Sequence, residues 1–121
     1  MERIFVELKS MLAKFEQLLA VQKDEPGLYT LVTKKPSPFL QHKGQPMFFG
    51  SVRVGKAYVS YHLMPIYMCE PLQKLISKEL KKRMQDKACF NFRAAPEPAL
   101  ITELQALTEA SWKRWSEQNW A

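Results

Sequence analysis

The sequence predicts an α+β fold: a helix, a strand, a hairpin, one or two short helices, a further strand and a long closing helix. Three observations predict it. Apolar residues recur at helical spacing near both ends of the chain, over residues 2 to 22 and roughly 97 to 116. Between them run segments that are rich in β-branched and aromatic residues or alternate with period two. Pro and Gly punctuate the joins. No repeat and no composition shift divides the 121 residues, so the expectation is one domain over 1–121.

In order, Ile4, Phe5, Leu8, Met11, Leu12, Phe15, Leu18 and Leu19 form the stripe of the first helix, with Glu2, Arg3, Glu7, Lys9, Lys14 and Glu16 on its other side. Pro26 and Gly27 stop it. "LYTLVT", residues 28 to 33, reads as a strand, and "KKPSPFLQHKGQP", residues 34 to 46, as a loop long enough to be a flap. "MPIYMCEP" reads as irregular. "PLQKLISKELKKRMQDK" holds one or two short helices, with Ser77 as an N-cap for the second. "KACFNFR", residues 87 to 93, alternates like a strand. Pro96 or Pro98 opens the closing helix, whose stripe of Leu100, Ile101, Leu104 and Leu107 continues through Trp112 and Trp115, while Trp120 is left for a partner.

The balance of 46% hydrophobic and 25% charged residues is that of a globular domain. The formal net charge of +6 favours acidic partners or serves solubility alone. Cys69 and Cys89 lack C-x-x-C or zinc spacing and read as free thiols. "MERIFVELKS" is charged from its second residue and has no signal-peptide core, and no apolar run approaches the roughly 18 residues of a membrane span. A cytoplasmic protein with no membrane partner is the expectation.

"GSVRVGKA", residues 50 to 57, is one residue short of a phosphate-binding loop, with Ala57 where Ser or Thr would hold magnesium. A hairpin explains it better, because Val52 and Val54 favour strands and "AYVSYHL" follows instead of a helix. With Gly55-Lys56 as a two-residue type II′ turn, Val54 pairs with Ala57, Val52 with Val59, Gly50 with Tyr61 and Phe48 with Leu63. Those eight residues form a core face. Met47, Phe49, Ser51, Arg53, Tyr58, Ser60, His62 and Met64 form a mixed face.

"MFFGSVRVGKAYVSYHLMPIY", then "ELKKRMQDKACFNFR" and a closing helix, resemble the YdhG-like family of bacterial domains of unknown function. The resemblance spans roughly residues 46 to 115, and its segments VGKxYVSxHLMPxY and KxCFNF mark one branch. It implies a small α+β domain whose antiparallel sheet carries the N- and C-terminal helices on one face. One branch of that family is linked to a frataxin-like role, binding and delivering iron. Such a role asks for a ridge of carboxylates. Here Glu2, Glu7 and Glu16 are interleaved with Arg3, Lys9 and Lys14, with Asp24 and Glu25 just beyond.

The mixed face is the candidate site. Arg53, Tyr58, Ser51, Ser60 and His62 gather there, and if Ala88, Phe90 and Phe92 point to the core, Cys89, Asn91 and Arg93 join them. Arginines, hydroxyls and an amide suit a carboxylate or phosphate. A half-solvated face and a homodimer interface are the other two readings. His62 is the acid–base candidate, yet no Ser-His-acid order assembles, so the expectation is a non-enzymatic binder of a small anion or a protein, with no cofactor, metal or catalytic residue. The basic stretch from Lys74 to Lys87 reads first as a solvated helix face. Nucleic acid is the less favoured partner there, because no aromatic residues are interleaved for stacking.

Overall fold

A computed structural model describes residues 2–121. Helix α1 (Glu2–Ala13) leads to β1 (Ala20–Glu25), β2 (Leu28–Pro36), β3 (Pro46–Val54) and β4 (Val59–Leu63). Three short helices follow, α2 (Met64–Met68), α3 (Glu70–Gln73) and α4 (Lys78–Lys81), then β5 (Cys89–Phe92) and the long α5 (Pro98–Glu117). The five strands lie in sequence order and every neighbouring pair is antiparallel.

The expected α+β architecture is present, with both terminal helices on one face of the sheet. Ile4, Phe5, Leu8, Met11 and Leu12 of α1 and Leu100, Leu104, Leu107 and Trp115 of α5 share one buried cluster with Tyr29, Val52, Tyr61, Phe90 and Phe92 of the sheet. Phe49 marks the junction, meeting Phe15 at 6.4 Å and Trp115 at 5.6 Å. Thr108 of α5 donates to the Leu104 carbonyl at 2.7 Å, so its oxygen accepts from the Tyr61 hydroxyl at 2.6 Å and ties the helix to β4. Burial holds the Tyr61 pKa well above the ordinary phenol value.

The first helix is shorter than its stripe predicts. After Ala13 the chain tightens into i→i+3 bonds, Phe15 to Leu12 and Glu16 to Ala13, which aims Phe15 at the core. Residues 20 to 25 then pair with β2 as an edge strand. Pro26 and Gly27 are a two-residue hairpin turn, not a helix stop: Glu25 pairs with Leu28, and Gly27 has φ +80°, as the third position of a type II turn requires. The strand escaped the sequence pattern because "AVQKDE" is almost wholly exposed. Its charges suit an unpaired sheet edge.

The β3–β4 hairpin also differs. Val54 pairs with Val59, so the loop has four residues, Gly55 to Tyr58, closed by Gly55 N–H donating to the Tyr58 carbonyl at 2.8 Å. Gly55 lacks the positive φ of a type II′ turn. The register has slipped by two residues, which leaves the faces of Gly50, Val52 and Val54 unchanged. A bulge moves the residues before them. Leu31 pairs with Gly50 and Val32 with Phe48, so Phe49 is the extra residue. Met47 and Phe49 therefore enter the core, Phe48 moves to the mixed face, and Ala57 is exposed in the loop. Gly50 and Gly55 belong to a bulged strand and a hairpin loop, and no helix follows to complete a phosphate loop.

The remaining elements follow the pattern. Ser77 caps α4, its oxygen accepting from Leu80 N–H at 3.1 Å, and Pro98 opens α5. The segment read as a loop from 34 is strand to Pro36, where it pairs with Pro46, and holds a single 3-10 turn at Leu40–His42. "MPIYMCEP" is helical rather than irregular. Trp120 is not free for a partner, because its ring packs edge-on against Phe39 at 5.2 Å and Trp115 at 6.2 Å.

Gly50 is the position where the sheet is least tolerant. A Cβ there would stand 2.8 Å from the His62 carbonyl oxygen and 3.3 Å from methyls of Leu12 and Leu63. Gly50→Ala is expected to lower stability by about 2–3 kcal/mol in urea unfolding. Ala57→Ser in the exposed loop should stay within about 0.5 kcal/mol. Equal midpoints for the two variants would mean that β3 does not need its close approach to β4.

Candidate functional site

The face opposite the helices carries two cross-strand rows. Lys23, Thr30, Ser51, His62 and Cys89 form one; Leu28, Arg53, Ser60 and Asn91 form the other. Side chains paired directly across strands share a face, so the structure brings together Ser51, Arg53, Ser60, His62 and Asn91 as the sequence predicts. Ala88, Phe90 and Phe92 are fully buried on the opposite side.

A hydrogen-bonded chain crosses one end of this face. Ser60 Oγ donates to Asn91 Oδ1 at 2.7 Å, Asn91 Nδ2 donates to Gln85 Oε1 at 3.0 Å, and the Tyr58 hydroxyl donates to the same Gln85 oxygen at 3.3 Å. Gln85 is held by backbone pairing. Asn91 N–H donates to the Arg83 carbonyl at 2.7 Å, Gln85 N–H donates to the Cys89 carbonyl at 3.1 Å, and Met84 bridges to Phe90. Residues 83 to 85 thus run antiparallel along the outer edge of β5. The turn between them is set by Asp86, whose carboxylate accepts from Ala88 N–H at 2.8 Å.

This edge makes a cleft of about 370 Å³ lined by Tyr58, Lys82, Arg83, Gln85, Asn91 and Arg93, with Met84. Three cations face it and no carboxylate lines it. Lys82 is paired with Glu79 at 3.2 Å, an exposed contact. Neither guanidinium is in an ion pair among the described residues. Arg83 Cζ lies 5.9 Å from the centre of the Phe92 ring, within cation–π reach at the edge of the sheet.

The predicted site is therefore divided. Tyr58, Asn91 and Arg93 line the cleft. Ser60 supports it through Asn91. Ser51, Arg53 and His62 share the face but line no part of the cleft; Arg53 and Asn91 stand two strands apart, about 10 Å. Lys82, Arg83 and Gln85 were missed as partners of Asn91, because the basic stretch reads as one helix face. In the structure it splits: Lys82 and Arg83 turn to this cleft, while Lys74, Lys81 and Lys87 line another with Glu70 and Asp86. The usable signal was "QDKA", whose Asp suits a tight turn between two pairing segments.

His62 meets Phe48 edge-on at 5.1 Å. Burial lowers its pKa below the ordinary value, with Asp86 opposing more weakly. Burial, then the Asp86 charge, pushes the Cys89 thiol up, so it stays protonated. Two of the acidic residues near α1 are engaged elsewhere: Asp24 pairs with Lys9 at 2.6 Å, and Glu16 accepts from Tyr29 at 2.8 Å. No group of three or more His, Cys, Asp or Glu converges to hold a metal among the described residues. No helix there is long and apolar enough to cross a membrane.

Comparisons with models of protein families, with curated proteins and with solved structures find no match to this chain.

Burial of His62 has a pH consequence. Unfolding returns the imidazole to its ordinary value of about 6.5, so the unfolded chain takes up the proton first. Its effect on stability is nil well above about pH 6.5, grows unfavourable as pH falls through that value, and levels off below the folded pKa. The His62 ring should titrate below about 6.5 by NMR, and His62→Gln should remove that part of the slope of stability against pH. A midpoint at or above the free value would contradict the burial.

Proposed function

We propose that this chain is a YdhG-like, non-enzymatic binding module of the cytoplasm that holds a small oxyanion, a phosphate or carboxylate, in the cleft at the β5 edge. One observation carries the reading: Arg83 and Arg93 share a carboxylate-free cleft with Lys82, and neither guanidinium has an ion-pair partner among the described residues. A guanidinium presents a fork of N–H donors that matches two oxygens of one anion. Tyr58 and Asn91 add polar atoms already oriented by Gln85. Two like charges set in one cleft are best relieved by an anion between them.

Binding without catalysis is supported by the arrangement of the one histidine on this face. The His62 ring makes no hydrogen bond among the described residues and packs on Phe48, while the Ser60 proton goes to Asn91. The quoted VGK and CFNF segments support the family reading. The two free thiols suit a reducing compartment.

Titration with inorganic phosphate and with citrate, followed by calorimetry at low salt, tests the proposal. Arg83→Ala and Arg93→Ala should each weaken binding about tenfold. Arg53→Ala, on the same face but outside the cleft, should leave it unchanged. Retained affinity in both cleft variants would remove the site.

A further inference from the structure

A second concave surface has different chemistry and does not draw on the anion cleft. Phe39, Met47, Phe48, Met64, Tyr67 and Met68 line a groove of about 320 Å³, together with Gln41 and His42. Its walls come from the β2–β3 loop, the start of β3 and α2. The groove is held open by its own contacts. The Phe39 ring is fixed edge-on by Trp120 at 5.2 Å and by His42 at 5.7 Å. His42 Nδ1 lies 2.6 Å from Ser37 Oγ, which also accepts from Phe39 N–H at 3.1 Å. Three of the lining residues are methionines, whose unbranched, polarisable side chains adapt to varied apolar partners.

Apolar surface continues past the groove. Leu40, between two lining residues, is 94% exposed, Tyr67 57% and Met68 42%. The segments that build the groove carry charge of one sign. No Asp or Glu occurs from residue 26 to residue 69, a span that contains Lys34, Lys35, Lys43, Arg53 and Lys56. Lys35 lies at the end of β2 just before the loop, and Lys43 lies within it, next to the lining residue His42. Lys35 donates to the Asn119 side-chain oxygen at 2.8 Å and keeps its charge. The nearest acid along the chain, Glu70, faces Lys74 at 3.7 Å.

We infer that this groove docks an acidic amphipathic segment of a partner protein, its apolar residues seated among the methionines and its carboxylates meeting the Lys35–Lys43 rim. The exposed rim requires an occupant larger than a molecule confined to the groove. A second copy of the chain would set the same acid-free, lysine-bearing segment against itself, with a formal charge of +6 on each chain. A flat bilayer reaches Leu40 but not Met47, which is 3% exposed at the groove floor.

The test uses two synthetic helical peptides with the same apolar face, Leu and Phe at i, i+3, i+4 and i+7, and either Glu or Lys on the polar face. By fluorescence anisotropy at low salt the acidic peptide should bind at least tenfold more tightly than the basic one, and the gap should close as salt rises. Met68→Asp and Tyr67→Asp, both at exposed positions, should each weaken the acidic peptide about tenfold with thermal unfolding unchanged. Lys43→Glu should narrow the preference between the peptides. The inference is overturned by equal affinity for the two peptides or by binding that survives both aspartate variants. It is also overturned by a dimer in sedimentation that Met68→Asp dissociates, by preferential co-sedimentation with phosphatidylserine vesicles, or by decanoate occupying the groove while the peptide does not.

Discussion

The bulge at Phe49 and the bare Cα of Gly50 set the rest of the molecule. One extra residue in β3 places consecutive residues, Phe49 and Gly50, toward the core, where a regular strand would send them to opposite faces. Phe49 then fills the space between Phe15 and Trp115, which joins the two ends of the chain. Gly50 gives up its own volume so that β4 and the Leu12 side chain can close over it. The same displacement puts Phe48 on the outer face, where it shields His62 and forms part of the groove wall. Core packing and surface chemistry thus share one backbone irregularity.

The anion cleft has a comparable origin at the other side of the sheet. β5 is only four residues long and would leave its outer edge unpaired. The chain just before it covers that edge. Because residues 83 to 85 alternate as a strand does, the pairing that satisfies Asn91 N–H also sets Arg83 and Gln85 beside Asn91 and Arg93. Protecting an edge and collecting cations are one event here. A helix continued through Arg83 would lose both.

Most of the architecture was legible because burial imposes a period. The stripes of the first and last helices and the alternation of Ala88, Phe90 and Phe92 report which sides face the core. The mixed face was legible for the same reason, and it tolerated a wrong hairpin register because the error was two residues. β1 was not legible, since an edge strand exposed along its length has no apolar period to read. The exchange of Phe48 with Met47 and Phe49 was not legible either. A bulge changes the face without changing composition, and only the approach of the His62 carbonyl to Gly50 accounts for the glycine. The cleft joined a basic stretch to a strand face because of pairing around Asp86, a consequence of the three-residue turn from Asp86 to Ala88.

The charge pattern follows from where burial acts. His62 and Cys89 stand side by side in one row of the open face. Burial lowers the first pKa and raises the second, and both shifts favour the neutral form. The His62–Cys89 pair is therefore uncharged near neutral pH, although both groups are titratable. Charge is left to Arg53 on the face and to Arg83, Arg93 and Lys82 at the cleft. A surface built this way responds to ionic strength more than to pH. Salt screens an open cleft within about a Debye length, whereas protons find no poised base at its centre.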